Sequence, residues 1–538
     1  MLCWTSTTTG LWRPKDTNGT RVDALKWRSI WQPAVFAATL ILSAPAAVLA
    51  QQASQPSLGT VTIATHLDVD TLDPTQNINT HQRWVYRHLF EPLITHDTDG
   101  KVKPVLAERW ERVAADRWRF FLRKDVKFSN GEPFTAEAVK FTVELMQKAS
   151  SQASSYYNEF SQVDIVDEHT VDLVTKAPYS GTLTLITDYL NPVPPKYYQE
   201  VGPQGFSAKP IGTGAYKLES WTRGTRVVLA PNENWSFGTP KASKVVFWVI
   251  PEPSTRVAAV LNGEADVAAT VPPIQVERIK QSSNARVEAS ATSVQPIWGG
   301  ILVDRPGLTD KRVRQAINYA VNKEAIVRRL LLGYGRVMGQ PCPQDTSCWS
   351  PDVKAYPYDP EKAKALMKEA GVGSLKIKLH FPTGVVPQGN LLAQVVATDL
   401  GKIGIQAEVL QEEWSVFASK LFDFKSKQAN LGDLFLMYYK AGPTLERVVA
   451  TILVSDRNWN WEHYNNPTVD KLIRTAETAL NDDEKSKALR EMAAIVHEDA
   501  PWLFLYEPFS LWGVSNRISW KARNDDYIYV EEMSLRRN

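Results

Sequence analysis

Alternation and helical periodicity take turns along most of the chain. Residues 58–67 alternate, with Val61 and Ile63 on one face, and predict a first strand. Residues 107–122 carry Trp110, Val113, Trp118, Phe120 and Leu122 around a charged break at Ala114-Ala115-Asp116, a hairpin pattern. Residues 163–173 repeat it around Asp167-Glu168-His169. Thr135 opens a predicted helix that runs to Lys148, with Glu137 in its first turn, where the positive end of the helix dipole favours an acid. Pro192, Pro194, Pro195, Gly202, Pro203 and Gly205 then break any pattern, and predict a seam between domains.

Beyond that break the rhythm is strand, turn, strand, then strand and helix in alternation. Residues 215–221 and 226–230 predict two strands joined by a basic turn at Arg223-Gly224, and the apolar run 245–250 predicts a buried strand. Predicted helices cover 255–262, a pair within 310–331, then 361–370, 391–403, 468–480 and 483–499. Strands are expected at 265–268, 375–381 and 406–410, and an aromatic one at 502–506. Strands alternating with helices describe an α/β architecture. At 538 residues the chain exceeds one ordinary core and predicts two or three domains. There is no internal repeat and no low-complexity tract.

Composition narrows the class. With 43% hydrophobic and 22% charged residues, the chain reads as a globular protein. Its first 50 residues look like an export leader: Arg21, Lys26 and Arg28 precede the apolar stretch 33–49, and Val48-Leu49-Ala50 offers a cleavage site ahead of Gln51. The competing reading is a membrane anchor, for which 17 residues broken by Pro45 are marginal. The formal charge is +2; without the leader's five basic and two acidic residues it is −1, which argues against a nucleic-acid partner. Cys3 falls in the leader. Cys342 and Cys348 remain, and in an oxidising compartment they suggest a local disulfide pinning one loop. A metal or redox role competes, but two cysteines without nearby histidines make a poor zinc set.

Catalytic signatures are missing. Gly212-Thr213-Gly214 lacks the Gly-Lys-Ser/Thr ending of a phosphate loop, and there is neither a Gly-x-Ser-x-Gly elbow nor an HExxH helix. No enzymatic activity is expected.

One segment is far more specific than the rest: Pro210-Ile211-Gly212-Thr213-Gly214-Ala215-Tyr216-Lys217-Leu218-Glu219-Ser220-Trp221, running on to Pro231-Asn232-Glu233-Asn234-Trp235. Around it, in order, stand Leu72-Asp73-Pro74; Leu89-Phe90-Glu91-Pro92-Leu93; Pro104-Val105-Leu106-Ala107-Glu108-Arg109-Trp110; and Phe128-Ser129-Asn130-Gly131 with Pro133-Phe134-Thr135-Ala136-Glu137-Ala138-Val139. Leu261-Asn262-Gly263-Glu264-Ala265-Asp266-Val267, Val313-Arg314-Gln315-Ala316-Ile317-Asn318-Tyr319-Ala320 and Tyr358-Asp359-Pro360-Glu361-Lys362-Ala363 follow. Together they resemble the family 5 extracellular solute-binding proteins, the dipeptide- and oligopeptide-binding receptors of ABC importers.

That resemblance implies a two-lobed α/β periplasmic-binding-protein fold, a Venus flytrap with an extra domain inserted in the N-terminal lobe and two crossover strands. Lobe I would comprise residues 58–92, 206–299 and 506–538, the inserted subdomain 93–205, and lobe II 300–505. The crossovers are expected at 297–301 and 503–506. It also implies a monomeric receptor that binds a peptide or peptide-like solute between its lobes and delivers it to permease subunits, with no cofactor. Some relatives carry nickel or haem, so the histidines matter. His81 and His88 lie seven apart, about 10–11 Å along a helix, which is too far for one ion. With His66, His96 and His463 they predict surface or capping roles and no metal site.

The resemblance places several aromatic residues along the ligand cleft: Trp298, Trp414, Tyr438, Tyr439, Trp459 and Trp461. Aromatic walls give a large contact area and accept varied side chains. The chain departs from the family where an Asp captures the peptide's amino group, reading Tyr438-Tyr439-Lys440-Ala441-Gly442-Pro443 instead. A buried ammonium without a carboxylate is costly, so either Asp68, Asp70 or Glu413 serves, or the ligand is no ordinary peptide. Sugars and opines are the alternatives within the class; a secreted enzyme, a chaperone and a sensory receptor are those outside it.

Overall fold

A computed structural model describes residues 58–537 apart from 77–79, 99, 149–153, 155–156, 291–294, 345, 424–430 and 439–444. The leader at 1–50 and Tyr439 lie outside the described residues. Among the described residues, no helix is long and apolar enough to cross a membrane.

Two large sheets dominate. The first has seven strands, in the order Ala285–Ser290, Ser510–Ser515, Val267–Ala268, Thr60–Thr65, Lys244–Val249, Arg226–Pro231 and Tyr216–Thr222. The second has six: Gly335–Val337, Trp502–Pro508, Ile297–Ile301, Leu434–Tyr438, Leu375–Pro382 and Ile405–Glu412. A separate sheet of four antiparallel strands, Ala107–Ala114, Arg117–Leu122, Thr170–Thr175 and Phe160–Asp167, is built from the two predicted hairpins.

The six-stranded sheet shows how sequence alternation becomes two cores. Trp298, Phe435, Trp502 and Phe504 face one side, and Ile297, Ile301, Leu434, Leu436, Leu503 and Leu505 face the other. Successive side chains point to opposite faces, so strands apolar at every position are strands covered on both sides. Gly300 is required here: a Cβ on it would come within 2.2 Å of the Phe435 ring.

The specific segment at 210–216 serves a close approach. Gly214 donates its N–H to the Leu89 carbonyl at 3.0 Å, at the C-terminal end of helix Thr80–Leu89. A Cβ on Gly214 would sit 2.4 Å from the His88 carbonyl oxygen, and one on Gly212 2.0 Å from that of Leu89. The glycines let a strand entrance cap a helix whose last carbonyls lack partners of their own.

One expectation is refined and one corrected. The breaker-rich stretch expected as a seam lies where one core gives way to another, Leu190 packing with the four-stranded sheet and Val193 with the seven-stranded one, and it also forms helix Pro195–Ala208, which buries Tyr198 and Phe206. Proline is tolerated where a helix begins, and the break is local, at Gly202 with φ of 67°. The expected crossovers also move. Ile297–Ile301 and Leu503–Tyr506 are paired inside the six-stranded sheet, and the chain passes between the sheets after Ser290 and between Pro508 and Ser510. Every residue from Ile297 to Ile301 is buried, which suits a strand covered on both faces and not a linker.

Candidate binding cleft

Strand register fixes which edges of the two sheets face each other. In the first sheet Ser290 pairs with Ser510, so this end is where the chain leaves for the second sheet and returns. Val267–Ala268 runs antiparallel to Ser510–Ser515 and parallel to Thr60–Thr65, which is parallel to Lys244–Val249. The C-terminal ends of these three strands therefore share the crossing end. Residues 66–70 and the turn at 223–225, whose Thr225 carbonyl accepts from Val249 N–H at 2.8 Å, emerge there.

In the second sheet Ile297 pairs with both Tyr438 and Tyr506. Leu375–Pro382 runs parallel to Leu434–Tyr438 and to Ile405–Glu412. Tyr438, Pro382, Glu412 and Glu507 thus mark the end that faces the first sheet. Between the two sets of strand ends lies a cleft, the usual place for a ligand on α/β sheets.

On the first wall, Asp68 is fully used in building the edge. Its carboxylate accepts from Val69 N–H at 2.8 Å, Gly224 N–H at 2.7 Å and the Trp221 indole at 3.2 Å. Exposed Arg223 lies over Trp221, 4.0 Å from the ring centre, and donates to the Asp70 carbonyl at 3.1 Å. The Asp70 carboxylate accepts from Gln82 at 2.7 Å. His66 and His81 come together with ring centres 6.5 Å apart.

On the second wall, Glu412 pairs with Lys420 and lies 3.5 Å from His380, whose pKa is lowered, chiefly by burial. Exposed Glu413 precedes helix Trp414–Leu421. Arg336 pairs with Glu507 at 2.7 Å, and Gln344 donates its N–H to the same carboxylate at 3.2 Å. Cys342 and Cys348 form a disulfide beside this pair, with Cα atoms 5.7 Å apart.

The aromatic residues divide. Trp414 stands half exposed at the cleft end of its helix, and Tyr438 ends its strand at the cleft edge, its pKa raised by burial. Trp298 is fully buried and stacked on Trp502 at 4.4 Å. Trp461 is buried against Phe435, its indole donating to the Leu421 carbonyl at 3.0 Å, and Trp459 stacks on it at 5.6 Å. These three pack into or onto the second lobe's core, Trp298 one residue in from the cleft end of its strand. For Trp459 and Trp461 the sequence neighbourhood is polar, and that masked their packing.

Three histidines are held by structure, and His88 is in the core, not at the surface as expected. His88 is fully buried, with Nδ1 donating to the Trp84 carbonyl at 2.8 Å and Nε2 accepting from Val530 N–H at 3.2 Å; burial pushes its pKa down to about 4. His96 bonds the Gly100 carbonyl at 3.0 Å, and His463 pairs with Asp304 at 2.8 Å. No group of three potential metal ligands occurs among the described residues. Sequence reasoning missed the position of Arg223 at the cleft edge and the meeting of His66 with His81. The basic turn was visible in the sequence, but only strand register shows which edge it occupies.

Two α/β lobes, joined by two short crossings and facing each other through their strand ends, define a two-lobed binding protein. The chain belongs to the bacterial extracellular solute-binding proteins, family 5, whose middle region it matches over residues 101–459. The glutathione-binding protein GsiB of Salmonella choleraesuis (strain SC-B67) is 26% identical over 458 residues, covering 82% of this chain and 88% of GsiB. Among solved structures, the ABC transporter-associated periplasmic binding protein DppA from Helicobacter pylori, in complex with peptide STSA, shares the fold. Its TM-score is 0.73 at 21% identity, over 89% of this chain and 98% of DppA. The oligopeptide-binding protein AppA from Bacillus subtilis, in complex with a nonapeptide, superposes with a TM-score of 0.74 at 22% identity, over 90% of this chain and 100% of AppA.

Proposed function

We propose that this chain is the periplasmic receptor of an ABC importer for peptides or peptide-like solutes, exported by its cleaved leader, and that its own task ends at binding. The observation that carries the reading is the cleft itself: the two sheets turn their strand ends toward each other across two short crossings. Relatives that bind glutathione, a short peptide and a nonapeptide support the ligand class. A ligand touching both walls favours the closed form because only that form offers both sets of contacts.

Trp414 and Tyr438 are the proposed aromatic contacts, with Arg223 for a ligand carboxylate and Glu413 for an ammonium. Asp68 is set aside because its carboxylate already holds the cleft edge together.

Native mass spectrometry of the mature protein from a periplasmic extract, before and after denaturation and refolding, tests the reading. The expected result is a co-purified adduct that fragments as a peptide and is lost on refolding. An adduct that fragments as a sugar or opine overturns the peptide assignment. A Glu413→Gln variant that retains a free-amine peptide undiminished overturns the ammonium assignment.

A further inference from the structure

The two crossings are not the only links between the lobes. The four-stranded sheet and the loop ahead of helix Thr182–Tyr189 reach the second lobe's helices, or the turn between two of them, at three places. Ser180 donates its N–H to the Glu477 carbonyl at 2.7 Å and its Oγ–H to the Ala476 carbonyl at 2.8 Å. Arg447, on helix Leu445–Leu453, donates to the Tyr179 hydroxyl at 3.0 Å and to the Glu159 carboxylate at 3.3 Å. Arg112 donates to the Leu480 carbonyl at 2.9 Å.

The receiving surface is suited to this. Ala476 and Glu477 lie in the last turn of helix Pro467–Thr478, where carbonyls lack partners within the helix and the dipole presents its negative end. Ser180, Tyr179, Glu159 and Arg112 come from a part of the chain that the first lobe carries, and Arg447 donates from the other side. Each bond therefore joins the lobes without touching the crossings, and each is given over to water when the lobes part.

We propose that these contacts form a latch that biases the lobes toward closure, with Arg447 as its positioning residue; the inference rests on the receptor reading above. Arg447 joins groups on the opposite lobe, a phenol and a carboxylate, and acts on how long the lobes stay together. Bonds that exchange with water contribute modestly, so the latch is a bias and not a lock. A tenfold bias in the closed-to-open ratio corresponds to about 1.4 kcal/mol. The ligand still decides whether the cleft closes, and the latch decides how slowly it reopens.

The test is single-molecule energy transfer between dyes on Glu168→Cys and Glu361→Cys, both exposed, in the mature chain with its disulfide intact. Without ligand, Arg447→Glu and Glu159→Arg should each lower the closed-to-open ratio about tenfold. The double variant, with the charges exchanged, should restore it, and Arg447→Lys should fall between. With glutathione as the probe, either single variant should release faster at an unchanged association rate. Single variants that keep the parent's distribution, or a double variant as open as Arg447→Glu, overturn the latch. If Arg447→Glu does not fold, Glu159→Arg, at the partly exposed end of the contact, carries the same comparison. Failure of the parent to bind glutathione counts against that ligand alone, because the ligand-free comparison still decides the latch.

Discussion

His88 ties the acid stability of the first lobe to one ring. Its Nδ1 donates and its Nε2 accepts, so a second proton would face the Val530 N–H inside the core. The ring takes up a proton at about 4 in the folded chain, against 6.5 ordinarily. Between those values the unfolded chain binds more protons, so stability is lost as the pH falls from 6.5 toward 4. At about 1.4 kcal/mol per unit of pKa, the whole effect is ~3 kcal/mol. Glu91, three residues on, opposes it. Burial pushes its pKa up to about 8 from 4.5, so its contribution falls as the pH rises across that window. Where the windows overlap the parent's slope is small, and the comparison must be with a variant. Urea unfolding of the parent and His88→Gln, followed by tryptophan fluorescence at several pH values from about 7.5 to 4.3, isolates the ring. The parent's advantage should shrink by roughly 2–3 kcal/mol across that range. An advantage independent of pH would refute the buried, neutral ring.

Two further outcomes follow from packing. Gly214→Ala should destabilise the protein by roughly 1–3 kcal/mol or more, because a Cβ there meets the His88 carbonyl and the helix end cannot retreat cheaply. A denaturation midpoint equal to the parent's would mean the glycine is not kept for close approach. Replacing both Cys342 and Cys348 with Ser should cost about 2 kcal/mol, the loop entropy of so short a bridge. A midpoint that reduction leaves unmoved would show that packing alone orders the loop.

The fold was legible where pattern and burial coincide. The two hairpins of the small sheet, helix Ala136–Lys148 and helix Asp482–Asp499 formed where periodicity put them. Prolines and glycines at 192–205 hid helix Pro195–Ala208, because proline ends one pattern and starts a helix with equal ease. The crossings were misplaced because apolar runs beside a hinge look the same whether they cross or pair. The sequence could not separate Trp414, which stands half exposed, from Trp298 and Trp461, which are buried. Which face a tryptophan takes depends on partners such as Trp502 and Leu421, tens or hundreds of residues away.

The outgoing and returning segments continue into neighbouring strands of one sheet, Ile297–Ile301 and Trp502–Pro508, cross-stitched by the Trp298–Trp502 stack. Two adjacent tethers leading into a stiff plate leave little freedom except rotation about the line that joins them. The second lobe would then swing like a door on one pair of pins. Whatever fills the cleft is translated into a single angle, and its chemical identity is erased in the translation. A partner that grips both lobes from outside would read how far the door stands open, and could serve many solutes without recognising any of them.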